Sequence, residues 1–311
     1  MSWQNYAIQV LSGLAGIGGV AKYLLEELPK EGHQVAAITR SQKPLPKEII
    51  QHITDYSVSH LTKILQDCDA VISCITAHSP DFLDVHLSLL EACKISPKCK
   101  RFLPSAWSGN YEEVRDQPLF AGGELEQIYN ALRIQSEIKW TLFCQGWMAD
   151  YLVPSSQRYL DDLGERWVQD YERKTFTLYG NQWQQVDFTA ARDAARAVAV
   201  LFNHDANDWE EFTCVSGQRL SWRELWEFVK TYDPAYEMKQ KSVAQSIKQL
   251  MARENDASVA AAMYEIMGNT EALAFPEGKV DRHRQKYFQG LKFRTLAQLV
   301  KEAKDNPGKV I

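Results

Sequence analysis

Three glycines and one arginine near the start of the chain have the types and spacing to hold a dinucleotide. Gly13, Gly16 and Gly19 recur every third residue, a G-x-x-G-x-x-G pattern rather than the commoner G-x-G-x-x-G. Gly13 suits the positive φ of a tight turn. Gly16 leaves the backbone bare enough for a pyrophosphate to approach, and Gly19 lets helix and strand pack closely. The turn, Ile17 included, runs into a helix whose first N–H groups and dipole favour an anion. Thr39-Arg40-Ser41 then closes a second apolar segment, with Lys43 close by and no carboxylate before Glu48. A ribose 2′-hydroxyl is ordinarily held by Asp or Glu at that place, whereas a guanidinium forks onto a 2′-phosphate. Arg40 and Ser41 therefore point to NADP(H) over NAD(H); the alternative is a solvated strand-end cation.

These groups need a scaffold, and the hydrophobic pattern supplies one. An apolar strand over 6–12 meets the glycine turn, an amphipathic helix covers 20–28, and a second strand covers 34–39. A weak strand ends near 55–57, a short helix covers 61–65, and 70–75 reads as a buried parallel strand. The helix over 82–93 carries Leu83, Leu87 and Leu90 on one face. A strand at 101–104, a helix over 125–138 and a strand at 140–144 follow. Such alternation predicts an α/β fold: a doubly wound parallel Rossmann-type sheet. Its ligands belong at the carboxyl ends of the strands. Cys74, Ile75 and Ser105 are assigned to the cofactor there, and Trp107, Trp147 and Tyr151 to a substrate mouth. Trp107 reads equally as a core or lid residue. His86 faces either the cleft or, as a polar helix residue, the solvent.

Past Gly146 the alternation loosens. Strands at 176–180 and 185–189 precede a helix over 190–202 that returns to the sheet. From residue 220 the chain is largely helical. The stretch 242–267 carries Ile247, Leu250, Met251, Met263, Tyr264 and Met267, either as a pocket lining or as core. The expected division is 1–155 plus 185–220 for the cofactor domain. Residues 156–184 plus 221–311 form a smaller, mostly helical C-terminal substrate lobe.

Composition narrows the function. The 311 residues are 45% hydrophobic and carry a net charge of −5, which argues against a nucleic-acid surface. No apolar run reaches the ~18 residues of a membrane span. The start carries neither a basic region nor an apolar secretory segment, so a cytoplasmic protein is expected. The six cysteines form no C-x-x-C pair and read as reduced thiols. No Cys/His spacing suggests a metal. Self-association into a homo-oligomer is left open.

Several segments together resemble the NmrA-like, isoflavone-reductase-like group of atypical short-chain dehydrogenases. The Gly13/Gly16/Gly19 turn is similar to its opening motif, Thr39-Arg40 to its strand-end arginine, and Ala70-Val-Ile-Ser-Cys74 to its fourth strand. Lys100-Arg-Phe-Leu-Pro-Ser105 resembles its most distinctive run, and Cys144-Gln-Gly-Trp-Met-Ala-Asp-Tyr151 resembles the segment leading into its substrate lobe. The resemblance implies an NADP(H)-binding fold whose C-terminal lobe closes over a hydrophobic metabolite. Two departures stand out. Pro104-Ser-Ala-Trp-Ser-Gly109 replaces the group's Pro-Ser-Glu-Phe-Gly, and ungapped alignment places Glu126 where the catalytic lysine stands. No Tyr-x-x-x-Lys pair occurs either; Tyr129-Asn-Ala-Leu-Arg133 is the nearest approach. Glu126 shares a polar helix stripe with Asn130, Arg133 and Glu137. It reads either as a solvated glutamate with Asn130 and Arg133 as neighbours, or as a catalytic carboxyl raised in pKa by burial.

Three functions are compatible with these residues. The first is hydride transfer between NADP(H) and an aromatic or polycyclic secondary metabolite. The second is a redox-silent isomerase or rearrangement enzyme using Glu126 as general acid/base beside bound NADP. The third is a non-catalytic regulator that senses NADP(H).

Overall fold

The computed structural model describes residues 7–12, 18–76, 79–107, 109–115 and 122–311. Six parallel strands form the main sheet: β1 (Ala7–Ser12), β2 (Gln34–Thr39), β3 (Ile50–Ile53), β4 (Ala70–Cys74), β5 (Arg101–Leu103) and β6 (Lys139–Trp140). Their order is β3-β2-β1-β4-β5-β6. β1 pairs Ala7–Leu11 with Gln34–Ile38 on one side and Ile8–Ser12 with Ala70–Cys74 on the other. The chain winds outward in one direction as far as β3 and restarts at β4 in the other. The crevice at that reversal is where such sheets take ligands.

Both faces of the sheet are covered, which is why its inner strands β2 and β4 are near-continuous apolar runs. Side chains alternate along each strand, so Ala37, Ile72 and Leu103 face one core while Ile38, Val71 and Phe102 face the other. Helices α1 (Gly19–Glu27) and α5 (Ala191–Leu201) lie over the first face. α2 (Val58–Leu65), α3 (Phe82–Ile95) and α4 (Gly122–Arg133) lie over the second. α5 buries Ala191, Ala194, Ala195, Ala197 and Ala199; methyl-sized side chains let it approach α1 closely. Arg192 of α5 ties the pair by ion pairs of 2.6 Å to Glu26 and Glu27.

Some expected elements shift. α3 buries Phe82, Val85, His86 and Leu89, whereas Leu87 is exposed. With apolar residues on several faces, the largest ring selects the seam. α4 stops at Arg133 instead of 138, because the Gln135 side chain bonds Leu132 O, Ile138 O and Ile138 N in a tight turn. The expected strand 140–144 is split. β7 (Leu142–Cys144) leaves β5 and pairs in parallel with β12 (Phe212–Cys214), with the Thr141 and Thr213 hydroxyls 2.8 Å apart at the junction.

The lobe is built on β8 (Trp147–Met148), β9 (Gln169–Asp170), β10 (Thr175–Tyr179), β11 (Gln185–Thr189), β13 (Gln218–Ser221) and β14 (Glu237–Lys241). They form two three-stranded sheets, β14-β10-β9 and β13-β11-β8. α6 (Trp222–Tyr232) packs Trp222 and Trp226 into a core with Trp147, Trp167, Phe176 and Phe188. The expected long helix breaks at Arg253, which takes a left-handed φ of 50°, giving α7 (Val243–Ala252) and α8 (Asp256–Gly268). Each has its own cap, from Ser242 and Asn255. Met267 is core, but Ile247 and Met251 are solvent-exposed, so only the α8 half fits the pocket-or-core expectation. α9 (Lys279–Tyr287) returns to the body: Tyr287 and Phe288 complete the core under α1 and α5. α10 (Leu296–Asp305) goes back to the lobe through Leu296, Leu299 and Ala303. The expected continuous lobe 221–311 is thus interrupted by a passage along the body.

Candidate cofactor and substrate site

Gly13, Gly16 and Ile17 lie outside the described residues. Gly18 is extended at the N-cap of α1 and supplies no side-chain cap, while Ala21 N–H donates to Gly18 O at 3.0 Å; the start of such a helix favours an anion. A Cβ on Gly19 would sit 2.5 Å from Leu160 Cδ2. The close approach this glycine permits is therefore to the loop after β8, not to a strand. At the end of β2, the Arg40 guanidinium lies over the Tyr56 ring, 4.9 Å from its centroid, and pairs with the Asp81 carboxylate just before α3. Ser41 is exposed, and its carbonyl accepts from the Thr39 hydroxyl (2.9 Å) and the Gln51 amide (3.2 Å). Arg40 thus bridges the end of β2 and the start of α3.

The ends of β4 and β5 are locked together. Ser105 Oγ donates to Ile75 O at 2.7 Å, and Ser105 N–H donates to His86 Nε2 at 3.1 Å. His86 Nδ1 lies 2.6 Å from Phe82 O. These partners require a neutral ring with its proton on Nδ1. Burial beside Phe82 pushes the His86 pKa down to about 4. His86 therefore faces neither cleft nor solvent; it is a buried latch between α3 and the Ser105 turn. Cys74 is half-buried and Ile75 buried. The Trp107 indole N–H donates to Ser73 O at 2.9 Å and its ring rests 5.6 Å from Phe143. Trp107 is half-buried, a fixed wall at the carboxyl end of the sheet.

The expected mouth residues part company after Gly146, whose φ of +70° turns the chain against Asp187. Trp147 is only 6% exposed. It stacks on Trp167 at 5.4 Å and meets Trp222 and Tyr264 edge-on, and its Nε1 has no hydrogen-bond partner among the described residues. Tyr151 instead packs against both the body and the lobe core. Its ring is 5.9 Å from Trp167, with the Arg158 guanidinium 5.3 Å away. It lines a cavity of about 580 Å³ with Trp167, Tyr171, Arg158, Lys241 and Glu265. Burial raises the Tyr151 phenol well above its ordinary pKa, so it stays protonated at neutral pH.

Glu126 is on the second turn of α4 and is 39% exposed, with Arg115 Nη1 3.8 Å from its carboxylate. Arg115 lies over the Tyr129 ring at 4.4 Å and donates to its hydroxyl, which in turn donates to Glu211 at 2.8 Å. Arg133 pairs with Glu211, not with Glu126. Glu126 lines a shallow notch with Tyr111, Arg115, Leu125, Tyr129, Leu142 and Phe212. Ser105, Trp107 and Tyr151 are not among the residues of that notch.

Three residues that sequence reasoning passed over join the two halves. Asp150 is fully buried between the Tyr23 hydroxyl (3.1 Å) and the Ala191 N–H (2.6 Å), and burial raises its pKa. Asp187 takes a forked contact from Arg219 and the Phe275 N–H at 2.8 Å. Asn110 donates from its backbone to Ala272 O (2.6 Å) and from its amide to Ala274 O (2.9 Å). Gly109-Asn110 is a turn-forming pair; nothing in type or spacing marks the two aspartates.

The α1 N-terminus, which Gly18 leaves without a side-chain cap, and the guanidinium at the end of β2 suit a dinucleotide bearing an extra phosphate. The sequence profile of the NAD(P)H-binding family matches residues 16–171. The chain is 35% identical over 301 residues to the oxidoreductase swnR of Metarhizium robertsii, and 34% to swnR of Arthroderma benhamiae. Each alignment covers 96% of this chain and 99% of the relative. An isoflavone reductase homolog, A622 of Nicotiana tabacum, is 27% identical over 156 residues, 46% of this chain and 49% of its own. Among solved structures, the leucoanthocyanidin reductase–NADPH complex of Vitis vinifera superimposes with a TM-score of 0.72 at 16% identity. It spans 96% of this chain and all of that one.

Proposed function

Because the chain belongs to the NAD(P)H-binding family, in its isoflavone-reductase-like group, we propose that it transfers hydride between NADP(H) and an aromatic or polycyclic small molecule. Residues 13–19 and the α1 N-terminus would hold the pyrophosphate, Arg40 the 2′-phosphate, and Cys74, Ile75 and Ser105 the nicotinamide end. The nicotinamide, when bound, supplies or accepts the hydride. The residues of the chain then have to seat a flat substrate and manage one proton. Trp107, anchored to Ser73 O, offers an immobile ring wall. Tyr151 keeps its phenolic O–H, which can donate a hydrogen bond to a substrate oxygen or nitrogen.

The observation that carries this reading is the position of Tyr151, which packs on both cores and lines a cavity where Trp167, Tyr171 and Tyr179 meet charged side chains such as Arg158, Lys241 and Glu265. Glu126, exposed and paired with Arg115, serves in this reading as the counter-ion of the 109–115 segment. Protein loaded with NADPH is incubated with a library of ring-bearing metabolites, and the reduced-nicotinamide absorbance is followed beside product masses. Loss of that absorbance with a product two hydrogens heavier is the expected result. An isomass product at constant absorbance would replace hydride transfer with acid/base rearrangement. Binding of NADPH with no turnover of any compound would favour a sensor.

A further inference from the structure

Asp81 occupies the N-cap position of α3, where an aspartate normally accepts the N–H of the second or third helical residue. Here its side chain caps nothing. The carboxylate turns away from the helix it precedes and takes the Arg40 guanidinium, 41 positions earlier in the chain. Arg40 has a second support that does not depend on Asp81. Its guanidinium rests over Tyr56, whose hydroxyl is fixed on Ile38 O at 3.2 Å. The cation would therefore keep its place without the carboxylate. Asp81 is 41% exposed and Arg40 29%, so the pair is solvent-screened and readily exchanged.

We infer that Asp81 is a specificity-determining residue that tempers the preference for a 2′-phosphorylated cofactor. The inference rests on the reading of Arg40 as the 2′-phosphate partner. A guanidinium already engaged by a carboxylate offers fewer donors to an incoming dianion, and the carboxylate repels that dianion directly. A cofactor with a plain ribose meets a neutralised pair and no unpaired cation. The Arg40–Asp81 pair thus lets one subsite take both cofactors, while Arg40 alone would enforce the phosphorylated one.

The test measures NADPH and NADH dissociation constants by titration calorimetry on wild type, Asp81→Asn, Arg40→Ala and the double variant, with melting temperatures alongside. Asp81 caps no helix and is partly exposed, so Asp81→Asn should melt with the wild type. It should bind NADPH about three- to tenfold more tightly, a gain on the scale of an exposed ion pair plus like-charge relief, and NADH within about twofold of wild type. Arg40→Ala should weaken NADPH alone, and in that background the gain from Asp81→Asn should shrink. If Arg40→Ala is selective for NADPH but Asp81→Asn leaves NADPH affinity unchanged or weaker, the role of Asp81 is refuted while that of Arg40 stands. If Arg40→Ala weakens both cofactors equally, the assignment of Arg40 falls and the inference about Asp81 falls with it.

Discussion

The His86 latch makes a quantitative prediction about acid stability. In the folded protein the imidazole is neutral and its pKa is pushed down to about 4; unfolded, it titrates near its ordinary value of 6.5. Between those values the unfolded chain binds more protons, so stability rises with pH. The contribution is complete above about pH 7 and is lost as pH falls from 6.5 toward 4. At about 1.4 kcal/mol per unit, the whole shift is worth roughly 3 kcal/mol, of which about 2 kcal/mol disappears between pH 7.5 and pH 5. His86→Phe removes the titration but leaves the half-buried Ser105 N–H without its acceptor, a cost of about 1–3 kcal/mol at pH 7.5. The variant should therefore be clearly weaker than wild type at pH 7.5 and nearly level with it at pH 5. Urea unfolding followed by tryptophan fluorescence at both pH values gives the two differences. The difference isolates His86, because His33 and His52, also lowered by burial, act alike in both proteins. A variant whose stability runs parallel to wild type at both pH values would refute a neutral, buried His86.

Three further outcomes are expected. Gly146→Ala would place a Cβ about 2.0 Å from Asp187 O at a φ of +70°, and should cost more than ~2 kcal/mol in chemical denaturation; a loss below ~0.5 kcal/mol would mean the β7–β8 turn is placed differently. Glu126→Gln should leave turnover within about threefold and cost well under ~1 kcal/mol, as expected for an exposed pair. A fall of roughly 10²-fold or more in kcat would restore Glu126 as an acid/base group. Tyr151→Phe keeps the ring and deletes the proton: kcat/KM should drop about tenfold or more with NADPH affinity unchanged, and an unaltered kcat/KM on the true substrate would remove Tyr151 from the proposed mechanism.

The strands were legible because burial on both faces leaves a mark that periodicity reads directly, as in Ala70–Cys74 and Gln34–Thr39. The placement of Arg40 at the end of a strand was legible because the apolar run before it is local. What escaped is non-local. No spacing shows that His86 will reach across 19 positions to Ser105 N–H, or that Asp187 will receive Phe275 N–H 88 positions later. Trp147 and Tyr151 are four residues apart beside the same turn, yet one enters the lobe core and the other faces the cavity. The break at Arg253 carries no Gly or Pro; the Asn255 cap was the only local cue. Glu126 could be placed on a polar stripe from the sequence, but its partner Arg115 comes from outside the helix.

The passage of α9 back along the body has a consequence for how the chain acquires its structure. The core under α1 draws on residues from Ala21 to Phe288, nearly the whole length of the polypeptide. During synthesis, Tyr23, Leu24 and Leu25 emerge early, and the α5 surface that covers them follows only after some 170 more residues. Tyr287 and Phe288 arrive later still. Closing such distant pairings is slow, and the half-covered sheet is exposed to self-association in the meantime. Body and lobe should consequently unfold in one transition, and a chain cut between α8 and α9 should fail to hold even the parallel sheet that precedes the cut.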